Sequence, residues 1–400
     1  MSDMFPNLEP FFALVGAKRW RDRIAAIHDM ESVGSRVAQT VRQHYAIELA
    51  LEKCRRRPSN YPSVTENLLG QVVDYIAVLS AGLTQRGRNK LIELIFLGLS
   101  GQNSLMPVFH LIRTAIMQQS RGFVVRFPCL EEDTPYDLLI RRGGTEAELC
   151  CDVVSAEVGR SVQRGAWARL TDIIEPDVQA WLDVHPGRYL LKMTLPLGLR
   201  GGWDQSVQET DKRMALHQRI LALLESRSRQ HLDETIVLRL DPLVLASAQA
   251  DDTALASSLR REFGPEASLA VITSGRSICV MAARAGREND VAGAIRQRLS
   301  TLAATRLTGQ RAGILSMFVD GIDRAEWRGL RDRLELEGET RHFMTNTEAL
   351  SVIAVSFVSR VELFGLGELS PKMSGELRFR NPRHPAANSA ALAPAVTSSV

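Results

Sequence analysis

The chain changes character near Gly122. Before that point its apolar residues recur at helical spacing, and after it short runs rich in β-branched residues begin. Between Trp20 and Arg57, residues Ile24, Ile27, Val33, Val37, Val41, Tyr45, Leu49 and Leu51 fall broadly on one side of one or two amphipathic helices. Pro58, Ser59, Asn60 and Pro62 interrupt the pattern. Ser63 with Glu66 then forms the S-x-x-E signature of a helix start. Further helices are expected over about 64–83, 88–99 and 106–119, with Gly101 to Ser104 joining the last two.

From Gly122 the runs FVVRF, PYDLLI and AELCCDVVSA predict three strands, the last two separated by Arg141, Arg142, Gly143 and Gly144. A helix over about 166–182 and a fourth strand, RYLLKMTLP, follow. Farther on, helices are expected over about 207–227, 253–263, 289–307 and 324–336. Strands are expected at TIVLRL, SLAVIT, ICVMAA, GILSMFV, SVIAVSFV and ELRFR. This order predicts a mixed α/β protein: a helical region over 1–103, an α-β-β-β-α-β core over 104–200, and a further α/β region over 201–384 that is separate or continuous with the core. The last sixteen residues, uncharged and with no large side chain after the valines, read as a disordered tail.

Apolar residues make up 45% of the chain and charged residues 24%, a globular composition. No uninterrupted apolar run is long enough for a membrane span, and the N-terminus carries acids before its apolar patch, so the chain reads as cytoplasmic. Five cysteines, Cys54, Cys129, Cys150, Cys151 and Cys279, make no CxxC pair. The eight histidines make no HExxH. Disulfides, structural zinc and a histidine metal site lack support, and Cys150 and Cys151 read as buried small hydrophobes. Walker A, GxSxG and internal repeats are absent, and Gly365-Leu-Gly367 lacks the third glycine of a dinucleotide fingerprint.

The net charge of +3 is unevenly placed: 14 Lys+Arg face 10 Asp+Glu up to Ser120, and the rest is balanced. Lys53, Arg55, Arg56 and Arg57, then Arg86, Arg88 and Lys90, are the dense basic clusters. They suit either a nucleic-acid backbone or the solvated ends of helices, where cations complement the dipole.

Two aspartates sit within apolar strand patterns. Asp137 follows Pro135-Tyr136, Asp152 lies fifteen residues on, and Glu148 shares a strand face with Asp152. Carboxylates in such places need a metal, a cation or hydrogen bonds, and a converging set would hold Mg²⁺ or Mn²⁺. The region from about 104 to 196 resembles the PD-(D/E)XK nuclease superfamily. Pro135-Tyr136-Asp137 is similar to its first motif with one residue inserted, and Cys151-Asp152-Val153-Val154-Ser155 to its second.

The resemblance implies a metal held by Asp137 and Asp152, with Glu148, activating water against a DNA phosphodiester. Val154 stands where the lysine belongs, and Lys192 on the fourth strand, or Arg160 after the third, would supply the displaced cation. Gln163 occupies the segment where members of the superfamily often place a glutamine. The alternatives are a catalytically inactive scaffold or nucleic-acid-binding component, with a protein partner or homo-oligomer in either case, and an Asp152 that simply pairs with an arginine. Trp167, Trp181 and Trp203 read as core anchors, and Asp241, Asp320 and Asp323 as strand-end aspartates.

Overall fold

The computed structural model describes residues 8–56, 63–201, 207–226, 228–243, 259, 263, 267–360 and 376–398. Its architecture is mixed α/β, with a helical N-terminal region, as the hydropathy pattern predicts. The helices before the first strand are α1 (Glu9–Val15), α2 (Ala17–Glu31), α3 (Ser35–His44), α4 (Ala46–Arg56), α5 (Val64–Gly82), α6 (Gln85–Gly98) and α7 (Met106–Ser120). The amphipathic stretch after Trp20 is therefore three helices. The capping box is real: Glu66 N donates to Ser63 Oγ at 3.2 Å and Ser63 N donates to the Glu66 carboxylate at 2.7 Å, so two N–H groups at the start of α5 are satisfied reciprocally.

The later helices are α8 (Pro128–Glu131), α9 (Arg164–Val184), α10 (Val207–Glu225), α11 (Val291–Arg306), α12 (Arg324–Asp332), α13 (Glu335–Phe343) and α14 (Ala393–Val396). The strands are β1 (Val124–Arg126), β2 (Leu138–Arg142), β3 (Thr145–Ser155), β4 (Arg188–Leu195), β5 (Gln230–Leu232), β6 (Val237–Pro242), β7 (Ser268–Ser274), β8 (Ser277–Ala285), β9 (Ala312–Asp320), β10 (Val352–Ser359) and β11 (Leu377–Arg380). Apart from residues 259 and 263, the helix expected over 253–263 lies outside the described residues, as do the Gly365-Leu-Gly367 stretch, Arg57 and Trp203.

The strands form two sheets, in the orders β1-β2-β3-β9-β10-β11 and β5-β6-β4-β8-β7. In the first, β1, β2 and β3 are antiparallel neighbours, and β3, β9 and β10 run parallel. Gly143 and Gly144, both at positive φ (54° and 78°), make the two-residue loop joining β2 to β3, a backbone that side chains with a Cβ rarely adopt. Every residue of β9 and β10 is buried, which matches their near-continuous apolar sequence: a parallel strand covered on both faces needs no polar alternation. Helix α7 lies on one face, where His110 bonds the Ser316 carbonyl at 2.9 Å. Leu299, Leu302 and Ala303 of α11 pack with Leu315 and Met317 on the other.

The chain divides into two compact units, one of residues 1–28, 43–158 and 291–400, the other of 29–42 and 159–290. This differs from the contiguous blocks 1–103, 104–200 and 201–384. The cause is the pairing of β3 with β9, which joins 145–155 to 312–320 across more than a hundred intervening residues. The fourth strand of the expected core, β4, accordingly belongs to the second sheet, between β6 and β8. The order helix, three strands, helix, strand is nevertheless present in the first unit as α7, β1, β2, β3, α11 and β9, with 159–290 interposed between β3 and α11.

The second unit packs α9 and α10 on its sheet around Leu170, Ile174, Leu191, Ile220 and Met281. Residues 385–398, read from composition as a tail, pack in the first unit. Leu392, Ala395 and Val396 are buried, and Arg378 donates to the Pro394 carbonyl at 2.7 Å. Small apolar side chains lack the charge that keeps a terminus in water, and here they fill a surface beside β10 and β11. Among the described residues no helix is long and apolar enough to cross a membrane.

Candidate functional site

The carboxylates singled out by the sequence gather at the β2–β3 hairpin. Pairing of Leu138 with Leu149 puts Asp137 across from Cys150, so Asp137 shares a face with Glu148, Cys150, Asp152 and Val154. Neither Glu148-Leu149-Cys150 nor Asp152-Val153-Val154 ends in a basic residue. Charge compensation comes from α11 and the turn after it.

Each carboxylate has its own partners. Asp137, the residue just before β2, accepts the Cys151 backbone N–H at 2.7 Å, and its other oxygen accepts Arg306 Nη2 at 2.7 Å. Arg306 Nε is bonded to the Pro135 carbonyl, which fixes the guanidinium against the start of the strand. Asp152 receives a two-pronged bond from Arg298, Nε to Oδ2 at 2.6 Å and Nη2 to Oδ1 at 2.9 Å, the geometry in which a guanidinium matches a carboxylate best. Glu148, fully buried, accepts Thr308 N at 2.8 Å and the Thr308 hydroxyl, and Arg311 Nη1 stands 3.7 Å away.

Burial and charge act in opposite directions on these groups. Burial raises the Asp137 carboxyl above its usual range and outweighs the lowering by Arg306 and by the Cys151 N–H. The hydrogen bond that Arg298 donates to Asp152 raises Arg298, while for Arg306 burial is the largest single influence and lowers it, but the charge of Asp137, the hydrogen bond to it and the other acidic neighbours together outweigh burial. Burial pushes the Cys129 thiol up to about 12 and raises Cys150 and Cys151 as well, so these cysteines are protonated hydrophobes rather than nucleophiles. Among the described residues no group of three or more His, Cys, Asp or Glu side chains is placed to hold a metal ion.

Lys192 does not join this constellation. It lies on β4 of the second sheet and faces Asp241 at 3.5 Å, because residues 188–195 pair with β6 and β8 rather than with β3. Arg160 is buried within the second unit. Gln163, at the start of α9, holds the Gly201 N–H at 2.9 Å through its side-chain oxygen. The residues that do meet the carboxylates, Arg298, Arg306, Thr308 and Arg311, lie about 150 positions beyond them, and the sequence offers only an arginine-bearing helix followed by Thr-Gly-Gln-Arg as a signal.

The basic clusters are largely neutralised locally. Arg55 and Arg56 bond Glu52, Lys53 pairs with Glu66, and Arg86 and Lys90 both pair with Asp133, while Arg88 is exposed. Lys53, Arg55 and Arg56 form the last turn of α4, as the helix-end reading predicts. Trp167 and Trp181 are anchored in the second unit by bonds to the carbonyls of Leu269 and Leu224. Asp241 pairs with Arg239, Asp320 with Arg360, and Asp323 caps α12 by accepting Glu326 N at 2.9 Å. No family model, no curated protein and no solved structure matches this chain.

Proposed function

We propose that the chain is a PD-(D/E)XK-like scaffold without nuclease chemistry, a structural or binding component in which arginines neutralise the carboxylates that a nuclease would give to metal. The observation that carries this reading is the pairing of Asp137 with Arg306 and of Asp152 with Arg298, together with a Glu148 whose oxygens are held by Thr308. A guanidinium bonded to a carboxylate already compensates its charge and competes with Mg²⁺ or Mn²⁺ for its oxygens. The strand order of the first unit supports the resemblance, and Val154 in the lysine position supports the loss of activity.

Metal-dependent hydrolysis of DNA is the second reading. Its support is the placement of Arg298, a partly exposed cation beside Asp152 that would take the part of the missing lysine. Manganese binding read by electron paramagnetic resonance separates the two. On the scaffold reading the wild type leaves millimolar Mn²⁺ free, and Arg298→Ala combined with Arg306→Ala gains affinity as the carboxylates are released. Wild-type binding that Asp137→Asn or Asp152→Asn abolishes would favour the nuclease.

A further inference from the structure

The second unit contains a hollow of about 360 Å³ between α3, α9 and α10, within the range of small-molecule sites. Its wall is mainly apolar: Val37 and Val41 are buried in it, while Val33, Ile173 and Met214 stand at its edge with 63%, 38% and 41% of their surface exposed. Arg213 lines the same hollow and is only 4% exposed. Its Nη1 donates to the Gly201 carbonyl at 3.2 Å and its Nη2 to Thr210 Oγ1 at 3.1 Å, both neutral acceptors.

A buried guanidinium with neutral acceptors alone is costly, since desolvation of a charge is offset chiefly by an opposite charge. Among the described residues no carboxylate pairs with it. Asp172, which also lines the hollow, accepts the backbone N–H groups of Arg36 at 3.1 Å and Val37 at 2.9 Å and is paired with Arg36. Glu209, one turn before Arg213, pairs with Lys212 at 2.7 Å, and Asp177 pairs with His217 at 2.8 Å. The guanidinium is held in place by design of the backbone: Gly201 has a φ of +87°, and a Cβ there would stand 2.9 Å from Glu209 Cβ.

We propose that this hollow binds a small amphipathic anion, with its carboxylate or phosphate on Arg213 and its aliphatic body against Val33, Val37, Ile173 and Met214. This site is independent of the nuclease-like face. The acid head supplies the opposite charge that no described carboxylate gives the buried arginine, and the apolar wall gains by covering Val33, Ile173 and Met214, whose side chains are now in contact with water.

The test is titration calorimetry of the full chain with sodium octanoate, octyl phosphate and, as the uncharged control, octanol. Saturable binding of at least one anion, roughly tenfold tighter than octanol, is the expected result, and the two anions together decide between carboxylate and phosphate. Arg213→Met should bring the anion to within about twofold of octanol. Val33→Trp fills the mouth of the hollow without altering the arginine and should abolish binding while circular dichroism stays unchanged. Octanol binding as well as both anions, anion binding undiminished in Val33→Trp, or no saturable binding up to millimolar anion would overturn the proposal.

Discussion

Replacing Glu148 by alanine distinguishes a structural carboxylate from a metal ligand through stability alone. Metal-binding carboxylates held together without metal repel one another, so deleting one leaves stability unchanged or raises it. Glu148 is placed differently: fully buried, it takes the backbone N–H of Thr308 at 2.8 Å and the Thr308 hydroxyl, with the Arg311 cation nearby. Hydrogen bonds to a charged group contribute about 1.5–3 kcal/mol each, and Thr308 itself is exposed, so water replaces part of what its donors lose. Glu148→Ala should therefore cost about 3 kcal/mol, and Glu148→Gln, which keeps an acceptor, about 1 kcal/mol. Urea unfolding followed by tryptophan fluorescence and by far-ultraviolet circular dichroism reads both values, with separate transitions fitted if the two compact units melt independently. Equal or greater stability in Glu148→Ala would refute the structural role assigned to this carboxylate.

Further outcomes follow from buried charges and close approaches. Burial weighs against the ionised form of Glu52, but hydrogen bonds from Arg55, Trp20 and Arg56 outweigh it and hold the carboxyl down to about 2. Its folded value lies below its unfolded one, so the stability it contributes, on the order of 3 kcal/mol, is present above about pH 4.5 and is lost as pH falls toward 2. Glu52→Gln should flatten the acid limb of a melting-temperature profile in that window, and an unchanged limb contradicts the assignment. Burial lowers His110 to about 4, so its contribution is complete above its ordinary value near 6.5 and is lost as pH falls between about 6.5 and 4. Nuclear magnetic resonance titration of the imidazole should show a neutral ring at pH 5.5, and a ring protonated there refutes the argument. A Cβ on Gly34 would overlap the Asp172 carboxylate that caps α3, so Gly34→Ala should destabilise the second unit by about 2 kcal/mol in thermal unfolding. A neutral effect would mean that Asp172 relaxes freely.

The elements of the fold were legible because each rests on local pattern. The capping box at Ser63 and Glu66 announces α5, Gly143-Gly144 announces the β2–β3 turn, and Gly275 separates β7 from β8. Strand partnership was not legible, since an apolar run such as RYLLKMTLP carries no record of which sheet it will enter. That is why Lys192 was expected beside Asp137 and instead faces Asp241. Asp137, Asp152 and Glu148 were found because charge in an apolar strand is expensive and must have a reason. Their partners were not, because Arg298 and Arg306 lie on a helix of ordinary composition, brought to the hairpin only by the long-range pairing of β3 with β9. The terminal segment misled for a related reason: composition measures affinity for water, whereas Leu392 and Val396 are buried by surfaces distant in sequence.

The most direct test of the central claim is a cleavage assay with end-labelled single- and double-stranded DNA, in Mg²⁺ and in Mn²⁺ at neutral pH, comparing the wild type with an Asp137→Ala, Asp152→Ala double variant. The arginine-neutralised face predicts no metal-dependent cleavage by the wild type above that of the double variant. Metal-dependent cleavage by the wild type that disappears in the folded double variant would contradict it and assign these aspartates to catalysis.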